Sequence, residues 1–378
     1  MPETRSTRII VVCGDPGGAN ALVPVIKQLH SEKKWDVLVF AYLHARDIME
    51  NNSILFSMVD DKITLPDIEK ILNENYPAIL ITGTSFNGVD LEIKFIRVAQ
   101  KLAIPTLAIL DFWSNYSLRF CDRQEGLLYI PDKIAIMDEI AWSEMIAEGF
   151  QPNALIVTGQ PAFDGLAEFK LNFDAGKRRK IRHFFKIHAS ELMVVFVSQP
   201  FSSVCGEDES NPRFPGYTEK TVLISLITTL EMLSQDCKRD IALIIRPHPS
   251  EKPDSYDKIT SNVIRIIASP DGDPREIMMA SDLVVGMNTE LLVEACYLGC
   301  MVASLQPGLR FKDVLPTNRS GCSIPVYSEE KIADAIRMML MHPEKMVEMR
   351  RKLDHFKHDG HATVRVVNSI NQMIDPSK

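Results

Sequence analysis

No apolar run in this sequence approaches the roughly 18 residues that a membrane-spanning helix needs, so none is expected. The longest clean run, Leu192-Met-Val-Val-Phe-Val197, has the length of a buried strand. The seven cysteines include no C-x-x-C pair, and their odd number argues against a disulfide framework. They read as small core residues in a reducing compartment. Cationic excess is missing too. The 42 Lys+Arg stand against 50 Asp+Glu, and a net charge of -8 lacks the footprint of a general nucleic-acid binder. Neither G-x-G-x-x-G nor a Walker lysine appears, which leaves the common dinucleotide and ATP sites unsupported. The opening Met1-Pro-Glu-Thr-Arg5 has no signal-peptide anatomy, so a cytoplasmic location is expected.

What is present is ordinary globular composition, 46% apolar and 24% charged, over 378 residues. At roughly 100–200 residues per domain that length favours two domains. Short β-branched runs alternate with helix-length segments at Ile9–Val12, Val37–Phe40, Ala78–Ile81, Thr106–Ile109, Lys133–Met137 and Ala154–Val157. The rhythm resumes at Leu192–Val197, Ala242–Ile245, Val263–Ile267, Leu283–Val285 and Met301–Ser304. Nearly all-apolar strands of this kind belong to parallel sheets covered on both faces. The division is therefore a Rossmann-like domain over 1–160, a polar connection over 161–189, a second Rossmann-like domain over 190–360, and a terminal helix over 361–378. That helix carries an apolar stripe at Val364, Val367, Ile370 and Ile374. The basic run Lys177-Arg-Arg-Lys-Ile-Arg-His183 reads as a solvated helix face, with phosphate or anionic-lipid contact as the alternative.

Open α/β sheets bind ligands beyond the carboxyl ends of their strands, so the loops there are the candidates. Cys13-Gly-Asp-Pro-Gly-Gly-Ala-Asn20 is a glycine-rich turn whose Gly17 and Gly18 let backbone approach a ligand. Asp15 within it can accept a proton from a hydroxyl. In Arg246-Pro-His-Pro249, His248 sits at a strand end, placed to bind a phosphate or protonate a leaving group. Val197-Ser-Gln-Pro200 offers Ser198 and Gln199 in the same layer. After the strand ending at Gly286, Asn288 and Thr289 cap a helix that stops at Gly299, and its free N–H groups attract phosphate. Glu290 and Glu294 share one face of that helix, where a carboxylate among apolar residues needs a partner such as ribose hydroxyls. Two patterns imitate metal sites. Asp271-Gly-Asp273 reads better as a helix cap, and the spacing of His355, His358 and His361 spreads them around a helix, so no metal site is expected.

The segment Ala280 to Gln306, with Arg246-Pro-His-Pro249 and with Pro131-Asp-Lys-Ile and Val157-Thr-Gly-Gln-Pro161 in the first half, resembles GT-B proteins of surface-carbohydrate biosynthesis. That superfamily includes nucleotide-sugar glycosyltransferases, non-hydrolysing UDP-N-acetylglucosamine 2-epimerases and CDP-glycerol glycerophosphotransferases. The resemblance implies two Rossmann-like domains facing across a cleft, with the C-terminal helix crossing back to the first. It also implies that Ser198, Gln199, His248 and the Asn288–Thr289 turn surround the donor's phosphates and that Glu294 holds the ribose; Gly17, Gly18, Arg246 and Glu290 complete the candidate nucleotide-binding or phosphate-binding set. Catalysis would need no metal and no cofactor beyond the nucleotide-sugar, which is a substrate. A glycan or lipid-linked hydroxyl is the implied acceptor, and self-association is compatible with the resemblance. The first domain departs from the epimerase pattern: Thr82-Gly-Thr-Ser85 lacks the expected carboxylate, while Asp111 stands where those enzymes carry a glutamate. A transferase with Asp15 or Asp111 as base is therefore the expected activity, with Trp113, Tyr116 and Arg119 either lining the acceptor pocket or packing as an aromatic loop between domains. Epimerase, CDP-glycerol-type transferase and non-catalytic nucleotide-binding or glycan-binding module are the alternatives.

Overall fold

The β-branched runs form parallel strands connected through helices, in two separate sheets. The computed structural model describes residues 8–86, 89–122, 125–252, 254–342 and 344–375; the opening segment inspected for targeting signals lies outside them. Its contacts divide the chain into Met1–Gly165 with Phe356–Lys378, and Leu166–His355.

In the first unit the strands are β1 (Arg8–Cys13), β2 (Asp36–Ala41), β3 (Ser57–Met58), β4 (Ile79–Thr82), β5 (Thr106–Ile109), the small hairpin β6 (Cys121–Asp122) and β7 (Leu127–Leu128), then β8 (Lys133–Ile136) and β9 (Leu155–Val157). Apart from the antiparallel hairpin they make one parallel sheet in the order β3-β2-β1-β4-β5-β8-β9. Ile9 through Cys13 are wholly buried, as strands covered on both faces require. The second unit repeats the plan with β10 (Leu192–Val197), β11 (Ile241–Arg246), β12 (Arg265–Ala268), β13 (Leu283–Gly286), β14 (Val302–Leu305) and β15 (Ile324–Val326), all parallel, in the order β12-β11-β10-β13-β14-β15.

Two sequence expectations shift. The polar stretch 161–189 forms the Asp164–Leu171 and Ala175–Phe184 helices, and the chain changes unit between Gly165 and Leu166 rather than across this whole stretch. Arg182 of the second helix is buried, because its guanidinium satisfies the carbonyls of Ala280, His188 and Glu191. The Ala362–Ile374 helix does return to the first unit, where Val366, Val367 and Ile370 join Ile9, Val11, Leu22 and Ile26 in one core. Asp164 fixes its start, accepting from the N–H groups of Ala362 and Thr363 at 2.8 and 2.7 Å. Val364, assigned to the apolar stripe, is 40% exposed; Val366 takes its place.

Candidate functional site

The first sheet reverses its strand order between β1 and β4, and the loops after these two strands carry its polar cluster. The first loop enters the Pro16–Glu32 helix with Asp15 as N-cap and Pro at the first helical position. Its glycines are explained by the protein's own atoms. A Cβ on Gly14 would fall 2.1 Å from the Tyr42 ring, and one on Gly17 would fall 2.2 Å from Asp111 Oδ2. A Cβ on Gly18 would fall 3.3 Å from the Gly83 Cα, so backbone faces backbone there. Close packing inside the turn accounts for Gly17 and Gly18 without a ligand.

Asp15 and Asp111 meet around this loop in different company. Asp15 Oδ2 accepts from Phe86 N–H at 2.7 Å, and Asp15 N–H donates to Ser85 Oγ at 2.9 Å. Asp111 Oδ1 accepts from Thr84 Oγ1 at 2.9 Å and pairs with the buried Arg119 at 2.5 Å. Arg119 also donates to the carbonyls of Thr84 and Ser114. A third carboxylate, unforeseen in the sequence, lies behind them. Glu92, in the first turn of the Leu91–Lys101 helix, is 3% exposed and bonded by Ser85 Oγ and Tyr42 OH. Burial pushes its pKa up to about 7, against the pull of both hydroxyls, and the charge of Asp15 adds to the rise. The carboxylate missing from Thr82–Ser85 is thus supplied in space from the following helix. Trp113 and Tyr116 are buried, donating to Asp138 and Glu144 at 2.7 Å each.

The second sheet reverses between β10 and β13, and here the anticipated loops do converge. Asn288 N–H donates to Gln199 Oε1 at 3.0 Å, and Gln199 Nε2 returns a bond to Asn288 Oδ1 at 3.1 Å. Glu251, which the sequence reading missed, ties the neighbouring pair. Its Oε2 accepts from His248 N–H at 2.5 Å, while Oε1 accepts from Ser198 Oγ at 2.9 Å and from Tyr256 OH at 2.5 Å. Ser198 is buried, so its hydroxyl is spent on positioning. His248 is exposed, and its Nδ1 accepts from Ser250 N–H at 3.2 Å. That bond places the proton of the neutral ring on Nε2, making it a hydrogen-bond donor.

Thr289 caps the Glu290–Leu298 helix and Gly299, at φ 82°, ends it. Two of the candidates have protein partners here. Arg246 is a brace: its guanidinium donates to the carbonyls of Ser269, Asp271 and Gly272 rather than facing outward. The partner that the apolar helix demands for Glu294 is Arg275, whose Nε lies 2.6 Å from Glu294 Oε2. Burial works against the Arg275 charge, but the bond to Glu294 and the charges of Glu294, Asp273 and the half-buried Glu290 hold its pKa above the ordinary value. Asp273 caps the Pro274–Ala280 helix through Arg275 N–H, as its sequence context implies.

Two Rossmann-like units, each with its polar loops at the point of strand reversal, define the GT-B fold. Solved structures of that class align over nearly the whole chain. UDP-GlcNAc 2-epimerase from Neisseria meningitidis, solved with UDP-GlcNAc, matches with a TM-score of 0.69 at 14% identity, covering 97% of this chain and 100% of that one. UDP-GlcNAc 2-epimerase from Methanocaldococcus jannaschii, in complex with UDP-GlcNAc and UDP, gives 0.61 at 17% identity, covering 96% and 99%. A glycosyltransferase from Rickettsia africae gives 0.65 at 12% identity, covering 99% and 100%. No family model matches the sequence, and no curated protein does.

Proposed function

We propose that this chain is a nucleotide-sugar enzyme that transfers a sugar to a hydroxyl acceptor in surface-glycan biosynthesis. The observation that carries the reading is the convergence of Gln199, His248, Asn288 and Thr289 at the strand reversal of the second sheet. It joins neutral donors to a helix start, a combination suited to a diphosphate. His248 Nε2–H and the helix N–H groups would stabilise the leaving charge of the nucleoside diphosphate. Asp15 is the proposed base, because Asp111 is already neutralised by a fixed cation. The donor is a substrate, and no metal or cofactor has a part in this reading.

A second reading is 2-epimerisation of a nucleotide-sugar. Glu92 favours it, since a carboxyl group that titrates near neutrality beside Asp15 gives the first unit a second acid-base group. Thermal shift with UDP, CDP and GDP and their sugars tests the common core. A ligand at about 100 times its Kd should add about 2.7 kcal/mol of stability. Product analysis then divides the readings: an epimer formed without acceptor favours the second, a glycosylated acceptor the first. Absence of a shift with every nucleotide would sink both.

A further inference from the structure

At the amino end of the second sheet, away from the loops just described, two adjoining cavities of about 390 and 260 Å³ share Arg178, Leu192, Arg239 and Asp282. The basic run of the Ala175–Phe184 helix comes to lie here. Two of its members serve the fold: Arg178 and Arg182 grip Asp282 at 2.7 and 3.3 Å, and Arg182 is buried. That leaves the larger cavity with a cationic surplus. Three arginines, Arg178, Arg239 and Arg350, line it against the single carboxylate of Asp282, which also accepts from Met193 N–H at 2.8 Å.

A fourth cation stands at its rim. Gly299 has no side chain, and a Cβ there would lie 3.2 Å from Lys170 Nζ and 3.3 Å from Arg350 Nε. Arg350 donates to the Gly299 carbonyl at 2.7 and 3.1 Å, and Lys170 to that of Tyr297 at 3.3 Å. Burial lowers the Lys170 pKa, and the charge of Arg350 lowers it further. Among the described residues, Lys170, Arg239 and Arg350 form no ion pair with a carboxylate. Like charges held together around one cavity repel unless an anion joins them, and guanidinium forks match the oxygens of a phosphate.

We propose that this amino-end cavity binds the phosphate of a small phosphorylated ligand between Arg239, Arg350 and Lys170. The volume suits a ligand of that size. The site is independent of the nucleotide reading, sharing no residue with it. Its phosphate has two possible sources, a soluble phosphate ester and an anionic lipid headgroup.

Calorimetric titration of the full chain with inorganic pyrophosphate tests the proposal. Pyrophosphate binding in the wild type should include a component that weakens at least about tenfold in R239A/R350A and less in R239Q alone, and this component should persist in His248→Ala, which can weaken only binding at the strand-reversal loops. Melting curves of the variants confirm folding, and both replaced side chains are exposed. Unchanged affinity in R239A/R350A, loss confined to His248→Ala, or no binding up to millimolar pyrophosphate would overturn it. No nucleotide is used, so failure of the donor-site reading leaves this test intact. Sedimentation with phosphatidylcholine vesicles containing phosphatidic acid separates the sources. Capture that disappears in R239A/R350A assigns the headgroup; pyrophosphate binding without capture assigns the soluble ester.

Discussion

The strand reversal of the first sheet gathers acids: Asp15, Asp111 and Glu92, with Arg119 locked against one of them. The corresponding reversal in the second sheet gathers an amide pair, a capping hydroxyl and an imidazole, and its Glu251 is occupied in holding the others. The strand order around the two reversals is the same, so the difference there lies in the side chains. A parallel sheet provides a place where loops diverge, and residues decide whether that place handles protons or anions.

Asp15→Asn is the sharpest way to break the comparison. Asn keeps an acceptor for Phe86 N–H but loses the proton acceptor, so turnover should fall by roughly 10²–10⁴ with nucleotide affinity retained, measured by kinetics and calorimetry. Equal losses of both would mean that the acid cluster is structural. Arg119→Ala should destabilise by about 3–5 kcal/mol in urea titration, because it strands Asp111 without its buried partner.

Glu92→Gln addresses pH. The folded-state pKa of about 7 lies above the ordinary value of 4.5, so between them the folded protein holds a proton that the unfolded chain has released. Stability therefore falls as pH rises through that window, by roughly 3 kcal/mol for one such group. In Glu92→Gln the slope should flatten and stability at pH values above 7 should rise, as read from denaturation at a series of pH values. The smallest effect belongs to the second unit. Glu294→Ala should weaken nucleoside diphosphates by about 1.5–3 kcal/mol and free pyrophosphate less, in paired titrations. Equal weakening would mean that it acts only by positioning Arg275.

Long apolar strands such as β1, β10 and β11 were legible because burial on both faces writes an uninterrupted run. β3, β15 and the β6–β7 hairpin were not, since two or three residues leave no period to read. The donor-side loops were legible from their positions after strands. Glu92 was not, because it lies in the first turn of the following helix, seven residues beyond Ser85, and only the fold brings it to Ser85. Arg246 and the glycines of the first loop show the converse. Their residue types suited a ligand, but the protein's own carbonyls and the Asp111 carboxylate occupy them, and spacing along a chain carries no record of such contacts.

The return of the Ala362–Ile374 helix to the first unit also sets an order of synthesis. Val366, Val367 and Ile370 belong to the core that contains Ile9 and Val11, so that core stays open while the whole of Leu166–His355 is being translated. The unit encoded first is thus completed last, and the second unit can fold on the ribosome before its predecessor has closed.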